Sequence, residues 1–157
     1  MKLTWIELGG GRIALSHRPK IKAIAWLSDQ GCQRVLSIQG EQESPKALED
    51  AVLTAGLSWT WINVGDGRFP VGKANKLLRQ GLADLIVNLN AHESVLIHCS
   101  AGIHRTGLFA FALLRSLGLS EAEALEQIAV MRPQTRNGMR PDDTRWGNLI
   151  ATENTTT

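Results

Sequence analysis

Val95-Leu96-Ile97-His98-Cys99-Ser100-Ala101-Gly102-Ile103-His104-Arg105-Thr106-Gly107 is the stretch whose reading decides the fold. Three apolar residues run into His98-Cys99, five residues lead on to Arg105, and an apolar-rich run then extends from Leu108 to Leu117. The pattern predicts a buried strand, a tight loop and a helix. A loop of this kind can turn several backbone N–H groups inward as an anion nest. The helix dipole adds partial positive charge at the same place. Cys99 sits at the mouth of that nest. A free cysteine titrates at about 8.5, and helix N-termini with nearby cations bring this down to roughly 3.5–7.5, so the position favours a thiolate. Arg105 closes the loop, and its planar fork can take two oxygens of one phosphate.

Working outward, Leu3 to Leu8 and Arg12 to Ser16 read as strands joined by a turn at Gly9-Gly10-Gly11. No helix follows these glycines, which removes a nucleotide-binding reading. Ile21 to Asp29 reads as a short helix stopped by Gly31, and Gln33 to Gln39 as a strand. Ser44-Pro45 reads as an N-cap followed by the first helical residue. That helix runs to Gly56, and Leu57 to Val64 reads as the next strand. Gly65-Asp66-Gly67-Arg68-Phe69-Pro70 is a loop by composition. Val71 to Leu89 carries apolar residues at helical period. After the decisive stretch, Gly118 ends the helix, and Ser120-Glu121-Ala122-Glu123 is a capping box opening a helix to Met131. Pro141 starts a last short helix through Trp146 and Ile150, and 151–157 is expected to be a frayed tail.

Alternating strands and helices predict a single α/β domain over 1–157, with a central, largely parallel mixed sheet flanked by helices. Ligands of such sheets bind at the carboxyl ends of the strands. Cys99 and Asp66 both fall just after strands, so one sheet edge can hold both.

His98-Cys99-x5-Arg105-Thr106-Gly107 resembles the signature of the cysteine-dependent protein phosphatases, and the short chain resembles their dual-specificity branch. Phosphate-ester cleavage by a thiolate needs a nucleophile, charge stabilisation and a proton for the leaving oxygen. Cys99 is the candidate nucleophile, giving a phosphocysteine. Backbone groups of Ser100, Ala101, Gly102, Ile103, His104 and Arg105, with the Arg105 guanidinium, are the phosphate-binding candidates. The resemblance implies a general-acid Asp on a mobile loop at about the separation of Asp66, which precedes Cys99 by 33 positions. Asp66 is also the only acid between Leu57 and Leu82, although Gly-Asp-Gly is ordinary turn chemistry as well. The same resemblance implies that Thr106 bonds the cysteine sulfur and helps it leave, and that His98 orients the loop. His104 departs from the small residue usual before the Arg, and either adds charge to the rim or points to solvent. Met131-Arg132-Pro133 also resembles the dual-specificity pattern, with Gln134, Arg136 and Asn137 as pocket candidates and Arg132 equally suited to a structural ion pair.

The composition bounds the remaining readings. Seventeen basic and 15 acidic residues give a net charge of +2, too mild to argue for nucleic acid or membrane as a partner. The local group Arg132, Arg136, Arg140 and Arg145, against Asp142 and Asp143, is either a solvated surface or a steering patch. No apolar run is long enough to span a bilayer, and the first residues carry no signal-peptide pattern. Cys32 and Cys99 alone do not make a disulfide framework, and a catalytic thiolate needs a reducing compartment; both point to the cytoplasm. Cys32 is either a redox partner of Cys99 or simply a buried or surface thiol. No cofactor and no metal is expected. The chain has no Tyr, hence none of the aromatic recognition residue that deep phosphotyrosine pockets use. The expected substrate is a phosphoprotein carrying phosphotyrosine or phosphoserine/phosphothreonine. The alternative is an inositol phosphate, a phosphoinositide or an RNA 5′-phosphate. A binding module without turnover, a sulfurtransferase and an arsenate reductase share the anion loop. They fit less well with Cys99, Arg105 and Asp66 all present and the loop late in the chain.

Overall fold

Ser94–His98 (β5) is buried along its whole length, as its unbroken apolar character requires. The computed structural model describes residues 1–155. In it, β5 lies mid-sheet in the order β1-β2-β5-β3-β4, with β1 Ile6–Leu8, β2 Gly11–Ser16, β3 Arg34–Ile38 and β4 Ser58–Ile62. β2, β5, β3 and β4 are mutually parallel, and only β1 runs antiparallel, against β2. The β1–β2 hairpin turns at Gly9 and Gly10, with φ of 61° and 96° and Leu8 opposite Gly11; the turn needs positive φ, which glycine adopts at no steric cost.

Side chains alternate across the sheet, so each face has its own core. Val95 and Ile97 of β5, with Ile13, Leu15, Leu36, Ile38 and Ile62, meet α3 (Gly72–Asn90) and α4 (His104–Ser116) on one face. Leu96, with Ala14 and Val35, meets α1 (Ile24–Asp29) and α2 (Pro45–Thr54) on the other. Burying one such aliphatic side chain contributes about 1.5–3 kcal/mol. α5 (Glu121–Met131), α6 (Pro133–Gly138) and α7 (Pro141–Thr155) pack outside α4. The Ser120 capping box forms as read: Glu123 N donates to Ser120 Oγ at 3.1 Å, and Ser120 N donates to Glu123 Oε1 at 2.9 Å.

Four local readings differ from the structure. The first strand begins at Ile6 rather than Leu3, and Leu3 and Trp5 instead pack on the α1/α2 side. Ser44 precedes Pro45 but does not cap α2 with its side chain; it sits in the left-handed region at φ 54° because a 3-10 turn, Glu41–Glu43, enters it. Residues 133–138 form α6, a short helix that the sequence reading does not mark. The last helix is longer than read and continues to Thr155, held by Ala151 in the interior and by an Arg79–Glu153 ion pair at 2.8 Å. Thr156 and Thr157, the end of the expected tail, lie outside the described residues. No described helix is long and apolar enough to cross a membrane.

Candidate active site

The four parallel strands all end at one edge, and the segments leaving them converge there. Cys99 follows β5, and its residue is 2% exposed. Its Sγ accepts a hydrogen bond from Thr106 Oγ1 at 3.1 Å across the loop. Ser100 and Ala101 are exposed, whereas Gly102 is buried at φ 71°. A Cβ at Gly102 would stand 2.3 Å from Ser16 O, so the loop can approach the end of β2 this closely only as glycine. Arg132 Nη1 and Thr135 Oγ1 both donate to Gly102 O, the former at 2.8 Å. Arg132 is therefore a strut for the loop rather than an ion-pair partner. Ile103 leads into α4, with Gly107 N donating to its carbonyl at 2.7 Å.

His98 is fully buried between two partners. Its Nδ1 lies 2.8 Å from Cys99 O, an acceptor only, so Nδ1 carries the proton. Nε2 then accepts from Ser37 Oγ at 2.6 Å, and Ser37 Oγ accepts from Trp59 Nε1 at 3.0 Å. Burial brings His98 down to about 4, and the cations Arg18 and Arg105 act in the same direction. The imidazole is thus neutral at physiological pH and serves as a fixed link from β4 through β3 to the Cys99 carbonyl.

Arg105 is held by a residue the sequence reading did not single out. Glu43 grips its guanidinium with two oxygens, Oε1 to Nη1 at 2.6 Å and Oε2 to Nη2 at 3.0 Å. Nη1 also donates to Ile38 O at 3.1 Å and Val64 O at 3.0 Å. These contacts use the Nη1–Nη2 edge, and Nη2 also donates to Ser100 Oγ of the loop at 3.5 Å. Burial pushes Glu43 upward, but the hydrogen bonds from Arg105, Ser100 and Gly40 N outweigh it and hold the carboxyl at about 2. Arg18 anchors the same segment through Glu43 O, Ser44 O and Gln39 Oε1. No motif marks Glu43; its only sequence signal is an acid just past a buried strand.

Asp66 lies beyond β4 with its side chain 61% exposed. It accepts from Arg68 N at 3.0 Å, the expected turn bond, and pairs with Arg68 Nε at 3.8 Å. The structure brings its segment against the Cys99 loop: Arg105 Nη1 donates to Val64 O, and a Cβ at Gly67 would meet His104 Cβ at 2.9 Å. His104 neither stands free on the rim nor points only to solvent, because its Nδ1 lies 3.3 Å from Oδ2 of the fully buried Asp143. The pocket candidates Gln134, Arg136 and Asn137 all lie on α6. Cys32 sits before the start of β3, at the opposite end of the sheet from Cys99, and its thiol donates to Arg34 O at 3.3 Å. Both cysteines are free, and their placement removes the redox-partner reading.

Residues 23–139 match the model of the tyrosine phosphatase family. The chain belongs to the tyrosine phosphatase family. This tyrosine phosphatase family member is a cysteine-dependent phosphatase with a dual-specificity-type fold. Among solved structures it is similar to Tk-PTP in its active form, at 25% identity and a TM-score of 0.71, over 94% of this chain and 93% of that one. It is similar to PTPMT1 at 20% identity and a TM-score of 0.76, over 98% and 97%. Human DUSP28 matches at 17% identity and a TM-score of 0.73, over 98% and 99%. A search of curated protein sequences found no match.

Proposed function

We propose that the whole chain acts as one catalytic domain that hydrolyses phosphoproteins through a phosphocysteine on Cys99. The observation that carries this reading is the Cys99 sulfur at the β5–α4 junction, bonded by Thr106, with the Glu43-anchored Arg105 guanidinium closing the same loop. Cys99 Sγ attacks phosphorus, the S–P bond forms and the P–O bond to the leaving group breaks. Backbone N–H groups from Ser100 to Arg105 and the Arg105 guanidinium bind the equatorial oxygens and stabilise them as charge redistributes. Asp66 hands its proton to the leaving oxygen. It then takes a proton from the water that cleaves the S–P bond, releasing phosphate and the thiolate. His98 holds the Cys99 carbonyl, and Thr106 stabilises the departing sulfur. The two free thiols fit a reducing compartment, and we assign the enzyme to the cytoplasm.

Family membership favours phosphotyrosine in proteins as the substrate, with phosphoserine and phosphothreonine accepted. A second reading, a non-protein phosphomonoester, has one specific support: a structural neighbour, PTPMT1, has been solved in complex with PI(5)P. The test is turnover of phosphotyrosine peptide, phosphothreonine peptide, PI(5)P and p-nitrophenyl phosphate by the parent, Cys99→Ser and Asp66→Asn. Cys99→Ser is expected to be inactive, and residual turnover at the parental rate ends the mechanism. Asp66→Asn is expected to lose about 10²-fold or more on the peptides. PI(5)P turned over faster than either peptide would replace the phosphoprotein reading.

A further inference from the structure

The loop carrying Asp66 is fastened to α7 at two points. Arg140, just before α7, donates from Nη2 to the carbonyl of Gly67, the residue after Asp66. Arg145, one turn into α7, stacks over the Phe69 ring with Cζ 3.9 Å from its centroid, and pairs with Asp142 at 2.9 Å. Both fasteners sit on one helix end, and behind the first stands Asp143, whose side chain is fully buried. Its Oδ2 accepts from Arg140 N at 2.9 Å and lies 3.3 Å from His104 Nδ1, while Oδ1 accepts from Arg140 Nη2 at 3.3 Å. His104 belongs to the phosphate loop and adjoins Arg105. One buried carboxylate therefore touches the residue that packs on the Asp66 loop and the arginine that bonds that loop's backbone. A carboxylate removed from water needs such donors, and here both donors reach across to the same loop.

We propose that Asp143 and Arg140 form a latch that positions the Asp66 loop over the phosphate loop, with His104 as its bearing. This rests on the reading of Asp66 as the proton donor. The latch touches neither substrate nor sulfur. Its contribution is the geometry of proton delivery, so it matters in proportion to how badly the leaving group needs a proton. It also accounts for a histidine in place of a small residue before Arg105. A small side chain there has no group to bond Asp143 or to fill the space against Gly67.

The test compares phenyl phosphate, a poor leaving group, with p-nitrophenyl phosphate, a good one. Arg140 is 45% exposed at its side chain, so Arg140→Gln is the variant least disturbing to folding; Asp143→Asn and Arg140→Lys accompany it. Arg140→Gln is expected to lower kcat on phenyl phosphate about tenfold and on p-nitrophenyl phosphate about twofold or less, with KM unchanged. Arg140→Lys restores part of the loss. In an Asp66→Asn background, Arg140→Gln costs nothing further, because both changes remove one step. Equal losses on both substrates, or a full additional loss on top of Asp66→Asn, overturn the latch. If Asp66→Asn alone equals the parent on phenyl phosphate, the proton donor is misassigned and the latch falls with it. If Asp66→Asn is impaired while Arg140→Gln is not, only the latch falls.

Discussion

Among the described residues the sulfur of Cys99 has one side-chain donor, the Thr106 hydroxyl at 3.1 Å. A hydrogen bond to a charged acceptor contributes about 1.5–3 kcal/mol, and on the proposed mechanism the charge on sulfur returns only when the phosphocysteine breaks down. Thr106→Val keeps the shape and removes the donor. We expect kcat to fall about 10- to 100-fold, KM to fall in parallel, and a burst of p-nitrophenol to appear in rapid-quench measurements. An unchanged kcat would place the slow step elsewhere. Cys99, Arg105, Thr106 and His98 could be singled out together because one short segment carries them, Cys99 and Arg105 by their spacing and Thr106 and His98 through the family resemblance. Glu43 was not, because its role exists only through the side chain of Arg105, 62 positions away. Asp143 was visible only as half of an acidic pair, and its burial is what gives it a different part from Asp142.

At the scale of elements, α4 and α7 pack directly against each other. A Cβ at Gly147 would stand 2.6 Å from the Phe111 ring and 3.0 Å from Ala112 Cα. Two effects oppose each other in Gly147→Ala. Helix propensity favours alanine by about 1 kcal/mol, while overpacking against a ring and a backbone atom costs about 1–3 kcal/mol. The rigid neighbours decide the sign, so we expect a net loss of stability. A rise in the chemical-denaturation midpoint for Gly147→Ala would contradict it. The element order itself was largely readable: β5, α5 and the β1–β2 turn fall where apolar runs, the capping box and the glycines put them. The misreadings occur where tertiary contacts override local signals. Ser44 looks like a cap, but Arg18 takes its carbonyl at 2.8 Å and the entering 3-10 turn sets its backbone. α6 is too short for periodicity to reveal, and its start is signalled only by Pro133.

The whole molecule inherits a pH dependence from groups whose protonation folding alters. His98 falls from 6.5 to about 4 and Glu43 from 4.5 to about 2. In both cases the unfolded chain binds the proton at higher pH than the folded one, so stability rises with pH. The His98 contribution, about 3 kcal/mol, is complete above about pH 6.5 and is lost on acidification towards pH 4. The Glu43 contribution is lost between about pH 4.5 and pH 2. On the alkaline side, burial raises the Cys32 thiol from 9.0 to about 11. Here the unfolded chain gives up its proton first, and stability declines as pH climbs from 9 to 11. Urea midpoints should trace a dome with its shoulder between pH 6.5 and 9, and His98→Gln should flatten its acid flank between pH 4 and 6.5. Equal midpoints at pH 4 and pH 7 for the parent would refute this.

Placing the two thiols at opposite ends of a parallel sheet has a chemical consequence. A peroxide that converts Cys99 to a sulfenic acid finds Cys32 too far away to close a disulfide and halt oxidation at a reversible stage. Reversible capping then falls to a backbone amide nitrogen of the loop, as a sulfenamide, or to glutathione or another thiol from outside, and an uncapped sulfur proceeds to the sulfinic form and is lost.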